Sequence, residues 1–130
     1  MYSFCARLAG GESRMIQRTD LFDVDVSTIK RYIDNETKLI FLSSPNNPTG
    51  NTISIPQVLA LLETDLIVVI DEAYYEFCNQ SVAHLVPKHE NLVVLRTLSK
   101  WAGLAGLRIG YGIMNPRIVS HLIDIKSPYN

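Results

Sequence analysis

The chain has 130 residues, 47% of them hydrophobic, which is enough for one domain with a buried core. Its 12 Lys and Arg stand against 13 Asp and Glu, a net charge of −1 with no run of one sign. That balance offers no field to recruit nucleic acid or an acidic membrane, so neither is expected as a partner.

Residues 3–9 have the pattern of a short helix, and Gly10-Gly11 supplies its stop. Residues 13–18 read as a strand. Ser27 is expected to cap a short helix running to about Ile33, with Asp23 and Asp25 ahead of it. Lys38 to Ser43 reads as a buried strand, ended by the turn Ser44-Pro45-Asn46-Asn47-Pro48-Thr49-Gly50. A helix follows over Ile55 to Glu63, with Pro56 suited to its first turn.

Leu66 to Ile70 is the clearest strand, dominated by β-branched residues and apolar on both faces. Leu92 to Leu95 reads as another fully buried strand. Arg108 to Met114 reads as a further one, with Gly110 and Gly112 permitting close backbone approach. Pro116 opens a last helix to about Lys126, which Ser127-Pro128 breaks. Strands alternate with helices without repeat or linker. The expected fold class is therefore α/β, three-layer, with a mostly parallel sheet flanked by helices.

Several functions find no support. Cys5 and Cys78 match no zinc or redox spacing and read as small buried hydrophobes in a reducing compartment. His84, His89 and His121 have no ligand spacing, so no metal is expected. The longest apolar stretch, Leu59 to Ile70, is interrupted by Glu63, Thr64 and Asp65 and does not span a bilayer. The first residues lack the pattern of a signal peptide, and a cytoplasmic location is expected. Asn35-Glu36-Thr37 and Asn79-Gln80-Ser81 match the glycosylation pattern, which is common by chance.

In parallel sheets, ligands sit at the carboxyl ends of strands. Three polar clusters fall there: Asn46-Asn47, Asp71-Glu72, and Thr97-Leu98-Ser99-Lys100. A lysine in a partly dry apolar pocket is a nucleophile that forms an imine with an aldehyde and then moves protons. Asp71 opposite a pyridine nitrogen would keep that ring protonated, making the cofactor an electron sink. Tyr74 lies three residues on and could reach the same ligand, while Asn47 is held extended by Pro48. Thr97 and Ser99 offer hydroxyls, and Arg108 a planar fork for a phosphate dianion. Lysine plus carboxylate is what pyridoxal 5'-phosphate requires. A nucleotide hydrolase is the rival, since apolar residues before Asp-Glu resemble a magnesium-binding strand end. It would need a Gly-x-x-x-x-Gly-Lys-Ser/Thr loop, which the sequence lacks.

Ser44 to Gly50, Asp71-Glu72-Ala73-Tyr74-Tyr75-Glu76-Phe77 and Thr97 to Gly112 together resemble the class I/II aminotransferases of pyridoxal phosphate fold type I. Met1 to Gly11 and Ser127-Pro128-Tyr129-Asn130 resemble the histidinol-phosphate branch. The resemblance implies that Lys100 binds the cofactor and shuttles the proton, and that Asp71 pairs with the pyridinium. Tyr74 and Asn47 would bind the phenolic oxygen, with Thr97, Ser99 and Arg108 around the phosphate. It implies an amino-acid or amino-phosphate substrate, a 2-oxo acid partner and a homodimer. Residues 1–130 would be the central part of the cofactor-binding large domain, lacking an N-terminal segment and a C-terminal small domain. The carboxylate-binding arginine and ring-stacking aromatic would lie in those parts, and the isolated chain is expected to have little activity. A phosphothreonine decarboxylase, an aromatic aminotransferase, or a non-catalytic remnant or interaction module keeping only the fold are the alternatives.

Overall fold

A computed structural model describes residues 2–127. Four strands form one sheet in the order β1-β2-β3-β4. β1 (Leu39–Ser43), β2 (Ile67–Asp71) and β3 (Leu92–Thr97) run parallel, and β4 (Gly110–Met114) returns antiparallel on β3. The helices are α1 (Tyr2–Leu8), α2 (Val26–Arg31), α3 (Ile55–Leu62) and α4 (Pro116–Ile125). The fold is α/β with a mostly parallel sheet flanked by helices, as the alternation of elements implies. The helix-breaking Pro128 lies outside the described residues.

Strand alternation sorts the sheet into two faces. Ile40, Val68, Ile70, Leu92 and Val94 join Val58, Leu61 and Leu62 of α3, Ile29 of α2, and Leu85 and Val86 of a 3₁₀ turn. Val68, Ile70, Leu92 and Val94 are fully buried, each contributing roughly 1.5–3 kcal/mol. The other face carries Phe41 and Val69, where Tyr2 of α1 stacks on Phe41 with ring centroids 4.6 Å apart.

Local chemistry sets the helix ends. Ser54 and Gln57 form a reciprocal capping box at α3, and the Gln57 side chain also donates to the Val24 carbonyl at 2.8 Å. The α2 cap is Asp25, not Ser27. Its carboxylate accepts from the hydroxyls of Ser27 and Thr28 and from the Thr28 N–H, which hold it well below the usual carboxylate range. Asp25 wins because its acceptor reaches the N–H three residues on, while Ser27 already lies inside the helix.

Other expectations need correction. Residues 13–18 form no strand, having no ladder partner among the described residues. Arg14 and Arg18 anchor them instead, through the Tyr32, Phe22 and Ser43 carbonyls and Asp34. β1 is not fully buried: as an outer strand it leaves Leu39 and Phe41 exposed. Cys5 is exposed, because α1 buries no residue against the core, and Cys78 is half-buried at the end of the 3₁₀ turn Tyr75–Phe77, which itself buries no residue. Arg108 does not begin β4. It occupies the left-handed region at φ 54°, turning the chain into the strand. Gly110 behaves as expected, since a Cβ there would sit 3.0 Å from the Arg96 carbonyl oxygen.

Candidate active site

Parallel register brings the carboxyl ends of β1, β2 and β3 to one edge, where Ser43 pairs with Asp71 and Asp71 with Leu95. β4 runs the other way, so its beginning meets the end of β3, Thr97 opposite Gly110. Arg108 thereby reaches the same edge as Asn47, Asp71 and Lys100 despite lying beyond them in sequence. Both ladders extend further than the apolar runs, making Asp71 and Thr97 the last residues of their strands.

Asp71 and Thr97 share the Phe41 face by alternation. Asp71 Oδ1 accepts from the Ala73 N–H at 3.0 Å, and Oδ2 accepts from the Tyr2 hydroxyl. Partial burial, then this hydrogen bond and the Asp71 charge, push the Tyr2 phenol above its ordinary range. Asp71 is half-buried and takes part in no ion pair among the described residues.

Asn47, Tyr74 and Lys100 come together as a second group. Asn47 Nδ2 donates to the Tyr74 hydroxyl oxygen at 3.0 Å, leaving the phenol proton available to an acceptor. Lys100 Nζ lies 5.5 Å from the centre of the Tyr74 ring, within cation–π range. Lys100 is exposed rather than set in an apolar pocket, because it lies in the bend after β3, where Trp101, Gly103 and Leu104 are exposed as well.

Thr97 and Ser99 lie together: Thr97 Oγ1 accepts from the Ser99 N–H at 3.1 Å and is 3.0 Å from Ser99 Oγ. Arg108 is exposed at this edge and donates Nη1 to the Ala105 carbonyl at 3.1 Å. The three groups thus share an edge, while the Arg108 fork turns to its own loop.

Two features escaped the sequence reading. The Tyr2–Asp71 contact joins residues 69 apart and has no local signature. The other is a buried ion pair on the core face. Arg96 donates from Nε and Nη2 to Glu72 Oε2 at 3.1 and 3.0 Å, and Glu72 is 1% exposed. Ser81 Oγ and the Val82 N–H also donate to Glu72, while the Arg96 guanidinium lies 3.6 Å over the Tyr75 ring. A signal was present: once β2 and β3 are in register, Glu72 and Arg96 are charges following apolar runs on one face.

The carboxyl edge of an open α/β sheet is where such folds bind small ligands, and here it carries a lysine, a carboxylate and an amide–phenol pair. The family model of aminotransferase class I and II matches residues 1–130, and the chain belongs to that family. It is 50% identical, over its whole length, to a histidinol-phosphate aminotransferase of Roseiflexus castenholzii and covers 35% of that protein. The chain thus spans about a third of the length of the curated relatives it matches. Among solved structures, the histidinol-phosphate aminotransferase of Clostridium acetobutylicum superposes with a TM-score of 0.90 at 25% identity, covering 99% of this chain and 41% of that one. The Sinorhizobium meliloti histidinol-phosphate aminotransferase in complex with pyridoxal-5'-phosphate gives 0.74 at 26% identity, covering 91% and 34%.

Proposed function

We propose that this chain is the cofactor-holding part of a pyridoxal 5'-phosphate-dependent aminotransferase. Its reaction would exchange the amino group between L-histidinol phosphate and 2-oxoglutarate, giving imidazole-acetol phosphate and L-glutamate. The reading rests above all on the Asn47–Tyr74–Lys100 group beside Asp71, in a chain half identical to an enzyme of that name.

The donor set fits the cofactor. Asp71 is a half-buried carboxylate with acceptor positions to spare, suited to a protonated ring nitrogen. Tyr74, its oxygen already accepting from Asn47, keeps its proton to donate to a phenolic oxygen. Thr97, Ser99 and Arg108 would bind the phosphate, Arg108 by turning its fork from the Ala105 carbonyl. Lys100 would hold the aldehyde carbon and move the proton at the substrate's Cα. Bound there, the cofactor supplies an electron sink for bond cleavage at Cα. Residues 1–130 would then be the central part of a large cofactor-binding domain, in a cytoplasmic homodimer. The groups that hold the substrate carboxylate and stack on the ring would belong to regions of the relatives outside the matched third.

The test is covalent capture. Purified protein is incubated with pyridoxal phosphate, reduced with borohydride and digested for mass spectrometry, and the single-turnover absorbance change of the bound cofactor on adding histidinol phosphate is compared with that on adding aromatic amino acids. The cofactor mass should appear on the peptide containing Lys100, and histidinol phosphate should be the preferred donor. Attachment elsewhere, or faster reaction with an aromatic amino acid, would overturn the reading.

A further inference from the structure

Asp71 Oδ2 is engaged by a group from a distant helix. Tyr2, the first described residue of α1, donates its hydroxyl to that oxygen. The ring cannot swing freely, because it stacks on Phe41 at 4.6 Å with only 15° between the planes. Phe41 pairs with Val69 in the sheet, and Val69 is two residues before Asp71 on the same face. Ring platform and carboxylate are thus carried by adjacent, hydrogen-bonded strands.

An ionised carboxylate has about four lone-pair positions. The Ala73 N–H takes one on Oδ1 and the Tyr2 hydroxyl one on Oδ2, so the plane of the carboxylate is fixed from both ends. Positions remain on each oxygen for a further donor. Without Tyr2, only the Ala73 contact would orient the group, and rotation about the Cβ–Cγ bond would be limited from one side alone.

We infer that Tyr2 is a positioning residue, whose hydroxyl, steadied by the Phe41 ring, sets the Asp71 carboxylate for the ring nitrogen of the cofactor. This rests on the reading of Asp71 as the pyridinium partner. Burial, then the hydrogen bond to Asp71 and its charge, push the pKa of the Tyr2 phenol up, in accord with a hydroxyl that keeps its proton against the carboxylate.

The contact and its purpose are tested separately. In cofactor-free protein carrying [¹³Cζ]tyrosine, the Tyr2 signal is assigned by its loss in Tyr2→Phe and followed from neutral to alkaline pH. It should stay protonated beyond the ordinary tyrosine range, and Asp71→Ala should move it back towards that range. A Tyr2 signal indifferent to Asp71→Ala overturns the inference alone.

Pyridoxal phosphate affinity is then measured by absorbance titration. Tyr2→Phe should weaken it roughly tenfold, as expected for a hydrogen bond to a charged group. It should add nothing further in the Asp71→Ala background, and Phe41→Leu should give a smaller loss. Additive losses, or unchanged affinity in Tyr2→Phe, would overturn the positioning role. Failure of unaltered protein to take up pyridoxal phosphate, with the NMR coupling intact, would overturn the functional reading and the inference resting on it.

Discussion

The Asp71 side and the Lys100 side of the sheet edge are held by different means. Asp71 sits within a parallel ladder between two strands, above a fully hydrogen-bonded buried ion pair. Lys100 belongs to the connection 98–109, which is tied by a handful of backbone bonds. Leu98 N–H donates to the Ile109 carbonyl, Gly103 to Lys100 and Leu104 to Leu98. The group expected to hold charge in place is thus fixed by the same interactions that stabilise the domain. The group expected to form and exchange a covalent bond lies on an exposed loop, where function and stability separate.

That separation can be broken from either side. Lys100→Ala should abolish covalent cofactor attachment, read as loss of the borohydride-reduced adduct from the peptide containing position 100. Its urea midpoint should barely move, since the side chain is exposed. Glu72→Gln should do the reverse to stability. It leaves Arg96, whose side chain is 12% exposed, without its counter-charge and should cost up to about 3 kcal/mol in urea unfolding. The double change Glu72→Leu with Arg96→Met should recover much of that loss, because no unpaired charge remains. Ser54→Ala, which removes the α3 capping box, should cost about 1 kcal/mol and leave cofactor uptake unaltered. If Lys100→Ala destabilises the fold as much as Glu72→Gln, the two sides are not held differently.

The sequence was most legible where composition and local spacing act. The β-branched run Leu66 to Ile70 read as a strand and is one, buried from Val68 to Ile70, and the polar residues after each apolar run had to collect at one edge once the sheet was parallel. Pro56 likewise marked the first turn of α3. Contacts set by tertiary placement were not legible. Nothing near Tyr2 announces Asp71, and residues 13–18 carry strand-like composition without a strand to pair with among the described residues. The exposure of Lys100 depends on the path of residues 101–109, which small and apolar residues leave undetermined. Arg108 read as extended because a left-handed arginine is rare, and only the tight return into β4 requires it.

The adjacent acids Asp71 and Glu72 carry one further consequence. The pleat sends them to opposite sides of the sheet, one towards Tyr2 and the other into the core against Arg96. A misthreading of β2 by a single residue would exchange them, sinking Asp71 into the interior and lifting Glu72 out of it. Mispaired sheets of this chain would therefore carry an electrostatic penalty in addition to misplaced aliphatic side chains. The acidic pair acts as a proofreading mark for strand alignment, so that correct folding and a correctly facing carboxylate are selected together.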